Sequence, residues 1–278
     1  MPGTNVRALE KGRELPADSL VFDLEDAVAP DSKLEARTRT VEALRAGGYG
    51  RREVLIRINS PGTPWSTDDI AAVASSGADG IVIPKVEDPA SLTRIESALT
   101  AGGARTMPVW CMIETPLGVL RAEIIATSSR RLGGLIVGTS DLANNLHASH
   151  TRDRMPMLPS LGYCLLAARA AGVAILDGVH LDLDDVDGLS AACRQGAEMG
   201  FDGKTLIHPK QIAPANAAFS PSPEAVAWSR RIIEAHAEAD RQGKGVVVID
   251  GKLVENLHVA DAHQLLALDK AIQAIATD

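Results

Sequence analysis

Two carboxylates, Glu114 in "IETP" and Asp141 in "GTSDL", stand where β-branched apolar runs meet turns, with Pro116 or Gly138 beside them. Other polar residues close similar runs: Glu25 and Asp26 in "FDLEDAV", Arg57 and Asn59 in "VLIRIN", Lys85 and Glu87 in "IPKVED", and Asp182 in "VHLD". Acids outnumber bases in this set, so a positive partner from outside the chain is expected. A hard divalent cation is the economical choice, because Mg2+ takes one or two carboxylates and fills its remaining positions with water and substrate oxygens. Glu114 and Asp141 are the expected ligands. A lone carboxylate at a strand end reads equally as a helix cap or loop acid, but two on adjacent strands favour the metal.

Glu25 and Asp26 then hold metal-bound waters from behind the ligands, or else cap the helix that begins near Asp31 or pair with Lys85. Asp23 is the more structural acid of that stretch. Arg57 has no acid next to it in sequence, and a planar guanidinium at the mouth suits a substrate carboxylate; the alternative is a buried salt bridge to Glu25 or Glu114. His180 and His208 lack an HxH or HExxH spacing and read as core or loop histidines. "SHTRDRMP" reads as a lid or as solvated surface.

The elements that must carry these residues are legible as short apolar runs: "SLVFDLE", "VLIRIN", "GIVIPKV", "VWCMIET", "LGGLIVGTSDL", "VAILDGVHLD" and "GKTLIHP". Continuous rather than alternating runs indicate strands covered on both faces. Alanine-rich helical segments separate them and end in glycine at C-cap positions. Repeated strand and helix make an α/β chain, and without a GxGxxG fingerprint we expect a TIM (β/α)8 barrel rather than an open doubly wound sheet. Seven strands are visible. The first strand of the eight is apparently truncated, since "MPGTNVRALEKGRELPADS" reads as a loop and helix. Residues 1–220 are assigned to the barrel and 221–278 to a C-terminal helix-hairpin-helix extension, in which Ser222 caps a helix, Pro223 opens it, and Asp250-Gly251 turns a hairpin. Such an extension suits packing on a neighbouring subunit.

Composition sets the outer limits. The chain has 278 residues, 45% of them hydrophobic, a net charge of −8 and a pI near 5.4. With no long basic run, neither nucleic acid nor a membrane surface is an expected partner. Cys111, Cys164 and Cys193 are scattered in apolar segments and show no CxxC pairing. With no signal pattern and no membrane-length apolar run, a soluble protein of a reducing cytoplasmic compartment is expected.

Taken in order, "MPGTNVRALEKGRELPADSLVFDLEDAVAPDSKLEAR", "VLIRINSPGTPW", "GADGIVIPKVEDP", "MIETPLGV", "VGTSDLANNL" and "GFDGKTLIHPKQI" resemble the citrate lyase β-subunit-like branch of the HpcH/HpaI aldolase superfamily, nearest to the malyl-CoA and citramalyl-CoA lyase type. The resemblance extends through "FSPSPEAVAWSRRII" and "GKGVVVIDGKLVEN". It implies metal ligation by Glu114 and Asp141, substrate binding by Arg57, and ordering of metal waters by Glu25 and Asp26. Backbone groups from Gly138 and Thr139 through Asp141 to Leu142 would receive a carboxylate. Arg7 and Lys11 would face coenzyme A phosphates. It further implies a homotrimer or hexamer in which the C-terminal segment brings an acid/base Asp to a neighbour; Glu255 stands at that position here. The implied reaction is Mg2+-dependent cleavage of a 3-hydroxyacyl-CoA into an acyl-CoA and a small α-keto acid such as glyoxylate or pyruvate. Alternatives are a malyl-CoA-type thioesterase, a citrate lyase β subunit acting on a carrier-protein thioester, and a non-catalytic binding subunit.

Overall fold

In the computed structural model, residues 1–242 and 247–276 are described. The chain divides into two compact units, Met1–Ala218 and Phe219–Asp278.

In the first unit seven strands run parallel in sequence order: β1 (Ser19–Asp23), β2 (Glu53–Arg57), β3 (Gly80–Ile83), β4 (Val109–Ile113), β5 (Leu132–Val137), β6 (Ala174–Asp177) and β7 (Gly203–Lys204). The helices are α1 (Val6–Lys11), α2 (Lys33–Ala46), α3 (Ser66–Ala74), α4 (Pro89–Ala101), α5 (Pro116–Leu120), α6 (Ala122–Ala126), α7 (Thr139–Leu146), α8 (Leu158–Ala171), α9 (Val186–Met199) and α10 (Ile212–Phe219). This is the expected α/β, TIM-barrel-like arrangement. Where an eighth strand would pair with β1 there is a single parallel bridge, Pro2 to Asp23. The Asp23 amide donates to the Met1 carbonyl (2.8 Å) and the Gly3 amide to the Asp23 carbonyl (2.9 Å).

Leu55, Val82, Trp110 and Ile136 form one buried cluster with Val21, Met112, Ala174 and Leu176 packed against it. Phe22, Ile56, Ile81, Ile83, Cys111 and Leu135, at alternate positions on the same strands, are buried too. Burial of both strand faces is what the unbroken apolar runs encode. Gly134 makes room for the indole of Trp110: a Cβ there would meet Trp110 Cζ3 at 2.4 Å. Cys111, Cys164 and Cys193 are free and buried.

In two places the strand stops short of its apolar run and so moves an expected residue off the strand end. In "LGGLIVGTSDL" the strand stops at Val137 and α7 begins at Thr139, so Asp141 sits in a helical first turn. In "VAILDGVHLD" the strand stops at Asp177, whose carboxylate accepts the Gly178 amide at 2.8 Å and turns the chain out of the sheet. Asp182 is therefore an exposed loop residue and Asp177 the strand-end acid.

The second unit contains α11 (Pro223–Arg241), a hairpin of β8 (Val247–Ile249) and β9 (Lys252–Val254), and α12 (Asn256–Ala276). Ser222 accepts the Ala225 amide at 3.1 Å as N-cap. Asp250 (φ 49°) and Gly251 (φ 77°) are both left-handed, as a type I′ turn requires. Ile232, Ile249, Val254 and Ala262 give this unit a core of its own. Among the described residues no helix is long and apolar enough to cross a membrane.

Candidate active site

The C-terminal ends of β1 to β5 bring the expected residues together. The turn after β1 is shaped by Asp23, whose carboxylate accepts the amides of Glu25 (2.9 Å) and Ala27 (3.1 Å). From α2 the buried Lys33 ammonium reaches back to the carbonyls of Leu24 (2.8 Å) and Glu25 (2.7 Å). Held this way, Glu25 is buried and Asp26 exposed.

Arg57 closes β2 and lays its fork on Asp23, Nε to Oδ1 at 2.7 Å and Nη2 to Oδ2 at 2.6 Å. Its Nη1 lies 3.1 Å from Glu25 Oε2 and 3.4 Å from Asp26 Oδ2. The sequence leaves Arg57 either free for substrate or paired with Glu25 or Glu114. The fold pairs it first with Asp23, then with Glu25 and Asp26. Burial works against the Arg57 charge, but the Asp23 hydrogen bonds outweigh it and keep the pKa above the ordinary arginine value. Burial likewise opposes the Asp23 anion, and Arg57 overrides it, holding that carboxyl below its usual range.

Glu114 directly follows β4 and is only 3% exposed. Burial, with the nearby charge of Glu25, pushes its pKa up to about 7. One carboxylate oxygen accepts the Lys85 amide at 2.9 Å. The other lies against Gly138, where a Cβ would meet Glu114 Oε2 at 2.3 Å. Asp141 projects from the first turn of α7 and sits 3.1 Å from Lys85 Nζ. The same ammonium is 2.9 Å from Glu25 Oε1 and 3.6 Å from Asp26 Oδ1, and Ser60 Oγ donates to Glu25 Oε1 at 2.8 Å.

Of the backbone groups expected to receive a carboxylate, two are already committed. The Gly138 amide donates to Ile113 (3.0 Å) and the Leu142 amide to Gly138 (3.1 Å), and the Leu142 side chain is fully buried. Thr139, Ser140 and Asp141 keep the first-turn amides that no intrahelical acceptor can reach. Arg7 and Lys11 are exposed on α1. Glu255 is exposed in the second unit, its amide donating to His258 Nδ1 at 3.0 Å. A cleft of about 380 Å³ beside Lys85 is lined by Ser60, Glu87 and Arg94 among others.

Among the described residues no three His, Cys, Asp or Glu side chains converge as a protein-only metal cage. The donor set does fit Mg2+, which needs only one or two carboxylates and hydrates readily. A buried carboxyl crowded by Glu25 and cradled by glycine is short of positive charge.

Several residues acquire partners that lie far away in sequence. Lys85 has a left-handed backbone (φ 52°), an uncommon conformation for a lysine, which turns its amide and its ammonium toward the same site. The sequence places it at a strand end and offers it as a partner for Glu25 or Asp26; the contact with Asp141 is the one it does not announce. Asn59 donates twice to the buried Asp69 (3.0 and 2.7 Å) and is structural. Asp177, fully buried, joins Arg154 Nη1 (2.8 and 2.6 Å) and Lys204 Nζ (2.8 Å). Arg154 thereby pins "SHTRDRMP" to the ends of β6 and β7. The His208 ring accepts the Lys210 amide at 3.1 Å, and the His180 carbonyl accepts from Gln211 at 2.9 Å, in keeping with loop histidines.

Known proteins resemble this chain along nearly its whole length. The chain is 48% identical over 274 residues to a (3S)-malyl-CoA thioesterase of Cereibacter sphaeroides, covering 99% of this chain and 94% of the relative. It is 34% identical to the citrate lyase β subunit of Leuconostoc mesenteroides, covering 98% and 92%. The fold matches the crystal structure of protein CitE from Mycobacterium tuberculosis in complex with magnesium, acetoacetate and coenzyme A, with a TM-score of 0.79, 29% identity and coverage of 97% and 96%. Residues 1–209 match the family described as HpcH/HpaI aldolase/citrate lyase. The chain belongs to that family, in its citrate lyase β-subunit-like branch.

Proposed function

We propose that the protein is a Mg2+-dependent lyase that cleaves a 3-hydroxyacyl-CoA, such as malyl-CoA or citramalyl-CoA, into an acyl-CoA and glyoxylate or pyruvate. The placement of Arg57 at the end of β2, Glu114 just after β4 and Asp141 in the first turn of α7, all at the same end of the sheet, carries this reading. Glu114 and Asp141 would hold the ion, which when bound supplies a Lewis acid and a template for the keto-acid oxygens. The free first-turn amides of α7 receive the substrate carboxylate. Arg57, positioned by Asp23, stabilises negative charge on the reacting oxygen. Arg7 and Lys11 face the coenzyme A phosphates. In the cleavage direction the hydroxyl loses its proton to water, the carbon–carbon bond breaks toward the thioester, and the α-carbon gains a proton from Glu255 of a neighbouring subunit in a trimer or hexamer, which is reprotonated from water. Glu is one methylene longer than the acid the resemblance leads one to expect, and its carboxyl must come within about 3 Å of that carbon's proton path.

A second reading is favoured by the 48% identity to a (3S)-malyl-CoA thioesterase: water attacks the thioester, giving free coenzyme A and the hydroxy acid. Incubating the purified protein with malyl-CoA and Mg2+ separates the two. Keto acid trapped as its phenylhydrazone, with no new thiol, supports the lyase. Thiol release with malate and no keto acid assigns the thioesterase.

A further inference from the structure

The acid cluster already contains a cation of its own. Lys85 Nζ is placed between Glu25 (2.9 Å) and Asp141 (3.1 Å), with Asp26 at 3.6 Å, while the Lys85 amide holds Glu114. One residue thus touches both expected metal ligands, through its backbone on one and its side chain on the other. The left-handed conformation that makes this possible is unfavourable for a lysine and persists where the surroundings enforce it. A second cation at the cluster, Arg57, is engaged by Asp23 and faces Glu25 and Asp26; among the described residues none of its ion pairs is with Asp141 or Glu114. Asp141 therefore has Lys85 as its ion-pair partner, and a divalent ion bound by Asp141 must compete with that ammonium for the same carboxylate.

We infer that Lys85 is the built-in counter-cation of this site, a positioning residue that pre-sets Glu25, Asp141 and Glu114 and is displaced from Asp141 when the divalent metal binds. The inference rests on the assignment of Glu114 and Asp141 as metal ligands. Its chemical consequence is a site tuned against tight binding of the bare ion. Full occupancy comes when an anionic substrate brings both oxygens for the metal and a new counter-anion for the released ammonium. Metal and keto acid accordingly bind with positive cooperativity, and the coupling passes through Lys85.

The test is Mn2+ binding followed by electron paramagnetic resonance, with and without pyruvate, on the full-length protein and three variants. Glu114→Gln abolishing Mn2+ binding supports the ligand assignment; wild-type protein that binds no Mn2+ sinks that assignment instead. Lys85→Met keeps the length and the amide but loses the charge. We expect it to bind Mn2+ without pyruvate about tenfold or more tightly than wild type, since a unit charge a few ångströms from a divalent ion weighs at least that much at a protein surface, and to lose the enhancement by pyruvate. Lys85→Arg, which restores the charge, returns affinity and cooperativity toward wild type, an outcome that a merely structural role does not produce. Unchanged or weaker Mn2+ binding by Lys85→Met overturns the inference. Should Lys85→Met fail to fold, wild-type protein supplies the reading: amine-acylating reagents followed by mass spectrometry should label Lys85 several-fold faster with saturating Mg2+ than without, and equal rates overturn the inference.

Discussion

Asp23 and Arg57 are register partners across the parallel pair β1–β2, and both are the last residues of their strands. Their side chains form a two-point fork, with contacts of 2.7 and 2.6 Å, at the floor of the acid cluster. Strand pairing alone therefore aims the guanidinium, because residues opposite each other on one face of a sheet stand side by side. Breaking the fork leaves Arg57 buried without its main counter-charge. Asp23→Ala should lower stability by about 3–5 kcal/mol and reduce turnover, read by urea denaturation and steady-state kinetics. The Asp23 pKa is depressed in the fold, so its contribution is present above the unfolded value near about 4 and is lost as pH falls through the lower folded value. The difference between wild type and Asp23→Ala should shrink on acidification below that range.

Glu114 shifts the other way. Its folded pKa of about 7 lies above the model-peptide carboxyl value, so between roughly pH 4.5 and 7 the folded state binds the extra proton and stability declines as pH rises. In metal-free protein, Glu114→Gln should remove this decline and raise stability at pH 8 by up to about 3 kcal/mol, with no difference below about pH 4.5. Parallel thermal melts across pH check it. Because metal binds the anion, Mg2+ affinity of the wild type should climb through pH 7 and level off above it.

Gly138 tests the packing of the ligand. A Cβ at this position would meet Glu114 Oε2 at 2.3 Å and Glu114 Cβ at 2.6 Å, so Gly138→Ala must push the carboxylate away. Overpacking of this kind costs about 1–3 kcal/mol. The expected signature is a divalent-ion affinity at least tenfold weaker in calorimetry, with folding retained.

Asp177 is fully buried between Arg154 and Lys204. Burial lowers the Lys204 pKa, with Asp177 as its compensating charge. Asp177→Asn leaves two cations facing one another and should cost about 3–5 kcal/mol, measured as a fall in denaturation midpoint. Arg154→Met should cost less, and should free the 148–157 segment to proteolysis.

How much of this was legible in advance varies from residue to residue. The apolar runs announced seven strands because burial on both faces leaves no alternation. Ser222-Pro223 and Asp250-Gly251 announced the cap and the hairpin because each motif satisfies its own backbone locally. Glu114 and Asp141 stood out as acids at strand ends, although Asp141 proved to belong to a helix, since Gly138 ends the strand sooner than an apolar count can register.

The amino-acid sequence by itself determined the element types, their order and the chemical character of the site, because periodicity, capping and turn chemistry act over a few residues. The tertiary structure alone decided the pairings that sequence did not offer: Arg57 with Asp23, Lys85 with Asp141, and Asp177 with Arg154 and Lys204. Charges find partners by distance in space. Here parallel strands joined through intervening helices bring together residues about 25 to 60 positions apart, a separation that local patterns do not encode.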